Sequence, residues 1–204
     1  MESVAEGPPP PPNEAFAMSL GTLTPATLED LYRVEGKAEL IAGRVVRLMP
    51  SGDAPSEAAF EIAVSLRDHA RRSGVGVAYP DGIGYAQRPA LPSGRQSFSP
   101  DASYHVGPRP RNRMRFIDGA PTFAVEVRSE QDYGAAAEAE MAANRADYFQ
   151  AGTGVVWDVD PMAKTVAVYR ADEPTEPLVY GQGQVADAEP AVPGWGLAVD
   201  DVFP

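Results

Sequence analysis

The chain has 204 residues, 44% hydrophobic and 23% charged, with no cysteine, two histidines and a formal net charge of -12. That length holds one domain plus a tail and rules out a multidomain machine, while the composition is that of a chain able to bury a core. The lack of cysteine excludes disulfides, thiolate zinc sites, iron-sulfur clusters and cysteine nucleophiles; His69 and His105 alone cannot build a multi-histidine centre, so a bound metal would be held by oxygen.

Residues 1–20 combine acidic and small residues with the run Pro8 to Pro12, which predicts a disordered tail ahead of a domain over 21–204, with Met18 as an alternative start. No apolar stretch approaches the roughly 18 residues of a membrane span, and the N-terminus lacks a signal-peptide pattern, so the expectation is a cytoplasmic protein with no membrane partner. Thr24-Pro25 reads as a helix N-cap followed by proline, with Leu28, Leu31 and Tyr32 at helical spacing until Gly36. Alternation in Glu39 to Ile41 and Val45 to Leu48, around Ala42-Gly43-Arg44, predicts a hairpin. A long helix should start between Asp53 and Ser56, place Ala59, Phe60, Ala63, Val64, Leu66 and Ala70 on one side, and stop at Gly74.

Four extended segments are expected at about 75–80, 82–88, 97–106 and 121–129, the last largely buried. Tyr133 to Gln150, alanine-rich and closed by Gly152, is the most clearly marked helix. Strands Val155 to Val159 and Thr165 to Arg170 follow, joined through Asp160 to Ala163, and weaker strands lie between Tyr180 and Phe203. The pattern is that of an α/β domain with a mixed β-sheet flanked by helices, preceded by an N-terminal helix and hairpin.

The charge is uneven. Residues 1–66 carry 4 basic and 10 acidic side chains, residues 67–115 carry 9 and 3, and residues 116–204 carry 4 and 16. The middle third is locally cationic, densest where Arg109, Arg111, Arg113 and Arg115 alternate with other residues. Such a loop either grips a phosphate backbone or balances an acidic surface.

Asp101, after Ser99-Pro100, and Glu126, near the end of a buried strand, are the sharpest chemical signal. Two carboxylates on neighbouring extended segments suit a hard cation, Mg²⁺ or Mn²⁺, which polarises a phosphate and lowers the pKa of an attacking water. Strand periodicity puts Glu126 and Arg128 on one face and turns Val127 into the core. The plainer alternatives are a turn cap for Asp101 and an ion pair between Glu126 and Arg128. His105 reads as a satisfied or exposed histidine, Trp157 and Tyr148 as core, and Asp158 with Asp160 as a solvated loop.

Pro100-Asp101 followed by Glu126-Val127-Arg128 resembles the PD-(D/E)XK nuclease superfamily. Five phrases sharpen the likeness: Glu39 to Gly43, Ser99 to Ala102, Phe123 to Ser129, Ala146 to Thr153 and Val156 to Pro161. In this order they resemble the Uma family of restriction endonucleases, a bacterial branch long catalogued as a domain of unknown function, from about Thr24 to Phe203. The resemblance implies a restriction-endonuclease-like fold and a Mg²⁺-dependent endonuclease acting on DNA, with Asp101 and Glu126 as metal ligands, Glu39 as an accessory acid and a homodimer as the working form. It also implies a catalytic lysine, at the position of Arg128 in the superfamily and of Asn144 in the branch. Neither residue is an effective proton acceptor, although Arg128 can stabilise transition-state charge. Lys37, after the first helix, and Lys164, beyond the Asp-Pro turn, are not expected to fill the gap. The alternative function is therefore an impaired nuclease fold that binds nucleic acid or regulates.

Overall fold

Thr27, not Thr24, opens the first helix. Its hydroxyl accepts the Asp30 N–H, and the Asp30 carboxylate accepts the Thr27 N–H in return, a reciprocal cap that fixes α1 at Leu28–Leu31. Upstream, the Ala26 N–H is spent on the Gly43 carbonyl, so the Thr24-Pro25 pair lies against a hairpin and does not start a helix. These features belong to the computed structural model, which describes residues 24–203; the expected tail over 1–20 lies outside the described residues.

The hairpin pairs β1 (Ala38–Ile41) with β2 (Arg44–Arg47) through a two-residue turn whose residues Ala42 and Gly43 both have positive φ, 49° and 70°. Gly43 is required twice over, because a Cβ there would lie 2.7 Å from the Pro25 ring. Helix α2 (Asp53–Ser73) has the predicted limits and ends at Gly74 in the left-handed region. Its buried stripe is Ala58, Ala59, Ile62, Ala63 and Leu66, and the small side chains let it sit close to the sheet. Phe60, expected on that stripe, falls off it and is 60% exposed.

The expected strands at 75–80, 82–88 and 97–106 are shorter and broken. They appear as β3 (Val77–Pro80), β4 (Tyr85–Ala86), β5 (Ser97–Phe98) and β6 (Ala102–His105). The break between β5 and β6 is Ser99-Pro100-Asp101, where proline has no N–H for a ladder. After β7 (Ile117–Asp118) comes the central strand β8 (Phe123–Val127), then α3 (Ala135–Gln150), β9 (Val155–Asp160), β10 (Thr165–Arg170), β11 (Glu173–Tyr180), β12 (Val185–Asp187), β13 (Gly196–Ala198) and α4 (Val199–Val202). Strand β11 is easily missed because it contains Pro174 and Pro177, which an edge strand tolerates.

The main sheet has the order β11-β10-β9-β8-β6-β3, with β8 and β9 parallel and every other pair antiparallel. This is the mixed sheet with flanking helices that the sequence predicts. Alternation along β8 assigns its faces. Phe123, Val125 and Val127 join α2, Trp157 and Trp195 in one core, where the two indoles stack at 4.9 Å, whereas Ala124 faces Val156, Phe98 and Tyr148 of α3 in the other. Glu126 is on this second face.

The corrected helix face has a measurable consequence. Leu66→Ala should cost about 2–5 kcal/mol in urea unfolding, while Phe60→Ser should stay within about 0.5 kcal/mol of wild type. Equal losses would restore Phe60 to the core.

Candidate active site

The turn between β5 and β6 is held to β8 from both sides of its aspartate. The Asp101 N–H donates to the Val125 carbonyl at 3.0 Å, and Asp101 Oδ2 accepts the Val127 N–H at 2.9 Å. These bonds flank Glu126 in the chain and bring the Asp101 carboxylate to its strand end. Glu126 is half-buried, and its Oε1 accepts the hydroxyl of Tyr148 on α3 at 2.7 Å. Glu39, expected as an accessory acid, is buried on β1. It accepts the Ser99 N–H at 2.8 Å and pairs with Arg95, whose Nε donates to Asp147 on α3 at 2.7 Å. Glu39 thus holds the Ser99-Pro100-Asp101 turn directly, and the guanidinium that holds Glu39 also grips the helix.

Arg128 does not pair with Glu126. Its guanidinium donates to both oxygens of Asp158, at 2.8 and 3.0 Å, and pairs with Glu138. Asp158, expected in a solvated loop, is only 2% exposed and accepts a further bond from Arg145 at 2.9 Å. The loop begins one strand position later than expected. Asp160 is the turn residue, accepting the N–H groups of Met162 and Ala163 and the hydroxyl of Tyr133. His105 is buried, its Nδ1 without a partner, and Trp157 is core as expected.

Asp158 and Glu126 are register partners on parallel strands, facing the same side. One is saturated by two arginines, the other has a single phenol. Burial first, and the negative charge of Asp101 second, push the Glu126 carboxyl up to about 8, against the lowering effect of the Tyr148 hydrogen bond.

Lys37, set aside from its sequence position, stands at the centre of the site. Its Nζ is 2.9 Å from Asp101 Oδ1 and 2.6 Å from Asp81 Oδ1. Burial works against its charge, but Asp101 and Asp81 outweigh it and hold the amine above its ordinary pKa. A signal was available, since Lys37 and Glu39 share strand parity. Arg95 carries no such signal, being a lone basic residue in a loop.

Asn144 is one helical turn before Tyr148 and therefore on the same side of α3. Its Oδ1 is buried without a hydrogen-bond partner. Arg109, Arg111 and Arg113 are exposed, while Arg115 pairs with Glu29 at 2.9 Å and lies 4.2 Å over the Tyr32 ring.

Among the described residues, no group of three or more carboxylate or histidine side chains is set to enclose a metal ion. The donors nonetheless fit a hard divalent cation that keeps several waters, which needs only one or two carboxylates. Asp101 and Glu126 would be that pair. Five carboxylates (Glu39, Asp81, Asp101, Glu126 and Asp147) meet two cations (Lys37 and Arg95) here, leaving negative charge to spare.

The raised Glu126 sets a sign for stability. The folded state holds this proton more tightly than the unfolded chain, whose ordinary value is 4.5, so stability falls as pH rises through the window up to about 8. Glu126→Gln should match wild type near pH 4 and exceed it by roughly 2–3 kcal/mol at pH 8.5, after discounting for partial exposure to water. A gap in urea unfolding that does not change with pH would contradict this.

No curated protein matches the chain. A solved structure described as a "putative nuclease belonging to DUF820 from Anabaena variabilis ATCC 29413" is similar over 88% of this chain and 98% of that one, with a TM-score of 0.67 and 21% identity, which shows a common fold. Residues 25–200 match the family Uma2, described as "Putative restriction endonuclease", and with so much of its length matched the chain belongs to that family.

Proposed function

We propose that the protein is a metal-dependent endonuclease that hydrolyses DNA phosphodiesters, with Asp101 and Glu126 holding Mg²⁺ or Mn²⁺. The observation that carries the reading is the contrast between the paired Asp158 and the unpaired Glu126 beside it. A half-buried carboxylate with no salt-bridge partner costs stability when it ionises, whereas Asp158 one strand away is paired with two arginines. A bound divalent cation would polarise the phosphate and generate the attacking hydroxide near neutral pH.

The chain's own groups have separate tasks in this proposal. The Val127 N–H orients Asp101, and the Tyr148 hydroxyl orients Glu126. Glu39, through Ser99, keeps the Asp101 turn against β8. Arg128 has its donors committed to Asp158 and Glu138, so its part is to brace the end of β8 against α3. Arg109, Arg111 and Arg113 are exposed on one loop and suit contact with a phosphate backbone. Cutting both strands of a duplex calls for two such centres, which a homodimer supplies, and a cytoplasmic setting belongs to the same proposal. Among the described residues no helix is long and apolar enough to cross a membrane.

A second reading, a nuclease fold that binds nucleic acid without cutting it, is favoured by one observation: Asn144 brings an uncharged side chain where the family resemblance implies lysine. One experiment separates the two. Calorimetry should show weak Mn²⁺ binding to wild type that Asp101→Ala abolishes, and wild type but not the variant should cleave plasmid DNA in Mn²⁺. Binding without cleavage leaves the second reading, and equal binding by both proteins puts the metal elsewhere.

A further inference from the structure

We propose that Lys37 supplies to the substrate phosphate the positive charge that Asn144 on α3 does not. The inference rests on the nuclease reading above and deepens it. The chain has only two lysines, and Lys164 lies in the turn between β9 and β10, in the left-handed region with φ 51°. Lys37 is the one whose ammonium meets the candidate metal ligand, at 2.9 Å from Asp101 Oδ1.

Its surroundings distinguish it from an ordinary surface ion pair. The side chain is 20% exposed and its ammonium is held by two carboxylates. Lys37 also lines a cleft of about 270 Å3 with Gly82, Gly84, Ser99, Tyr32 and Phe116. Gly84 is required by the close ring of Phe116, which a Cβ would approach within 2.5 Å, and the Tyr32 and Phe116 rings meet edge to face at 4.7 Å. Arg115 lies over Tyr32, so the arginine loop ends at the rim of the same cleft. The two acids that hold it, Asp81 and Asp101, line a second cleft of about 180 Å3 with Pro80, Pro55 and the exposed Phe60. Lys37 thus lines the cleft that the arginine loop adjoins and is paired with two acids of the other.

Lysine suits this place. Its ammonium is a compact point charge with three donors, so two can stay on Asp81 and Asp101 while the third turns to a phosphate oxygen. Asp81 and Asp101 act as its positioning groups, as a carboxylate holds a charged donor elsewhere in this molecule at Arg95.

The test uses the full chain in wild type, Lys37→Met, Asn144→Lys and the Lys37→Met/Asn144→Lys double variant. Three properties are read: Mn²⁺ affinity by calorimetry, affinity for a short DNA duplex in Ca²⁺ as a function of salt, and plasmid cleavage in Mn²⁺. If Lys37 contacts phosphate, Lys37→Met should keep Mn²⁺ affinity within about threefold, lower duplex affinity about tenfold and reduce the salt slope by about 0.9, one phosphate contact. Cleavage should fall about 10²-fold or more. The double variant should regain most of the slope and the cleavage, because the new ammonium comes from the helix face next to Glu126. Unchanged slope and cleavage with intact Mn²⁺ binding would make Lys37 an ion-pair partner only and overturn the inference. Loss of Mn²⁺ binding with early melting, unrescued by Asn144→Lys, would also overturn it, assigning Lys37 to the support of Asp101. Wild type that binds neither Mn²⁺ nor duplex would remove the nuclease reading, and the inference with it.

Discussion

The Arg95 guanidinium donates to Glu39 on β1 and to Asp147 on α3, and through Glu39 it fixes the backbone of Ser99. Three elements distant in sequence are clamped by one buried cation. The Ser99-Pro100-Asp101 turn has no ladder bonds of its own at proline, so its position depends on this clamp from one side and on β8 from the other. Removing either partner of a buried pair leaves an uncompensated charge, typically a cost of about 3–5 kcal/mol. The clamp therefore determines whether Asp101 reaches the strand end where Glu126 stands.

Charge balance divides the second face of the sheet into two neighbourhoods. Around Asp158 the accounts close: Arg128 and Arg145 neutralise a carboxylate that is almost fully buried, and the cluster ties β9 to α3. Around Asp101 and Glu126 they do not close, and folding tolerates a carboxyl whose burial raises its pKa to about 8. Carboxyls shifted by burial and a like charge cluster at functional sites, which is what makes this neighbourhood the candidate. The tetherless Asn144 oxygen belongs to the same neighbourhood, one helical turn from Tyr148.

Much of this was legible in the sequence, for reasons that can be named. The long helices have periodic small and apolar residues, and α2 has a glycine stop. The central strand β8 reads as buried because Phe123, Ala124, Val125 and Val127 leave no polar alternative to Glu126. Asp101 and Glu126 stand out because proline before one and an apolar run around the other are poor settings for idle carboxylates. What was not legible depends on long-range pairing. Nothing local says that Arg128 turns to Asp158 on the next strand, or that Lys37 reaches an aspartate 64 positions away. The cap at Thr27 displaced the one at Thr24 because Ala26 is bonded across the hairpin, a tertiary contact. Phe60 was misplaced because the apolar stripe of α2 was set off its true face: Ala58 and Ile62, left out of it, are buried, and Phe60 walls a cleft beside Asp101.

The proposed cation site joins Asp101 and Glu126, where the fold leaves negative charge to spare. Anomalous scattering from crystals soaked in Mn²⁺ tests it directly. The account predicts a peak between the Asp101 and Glu126 carboxylates, with Tyr148 still bonded to Glu126 and Asp158 still held by its two arginines. A peak only elsewhere on the molecule, with Asp101 and Glu126 unchanged at saturating Mn²⁺, would contradict it.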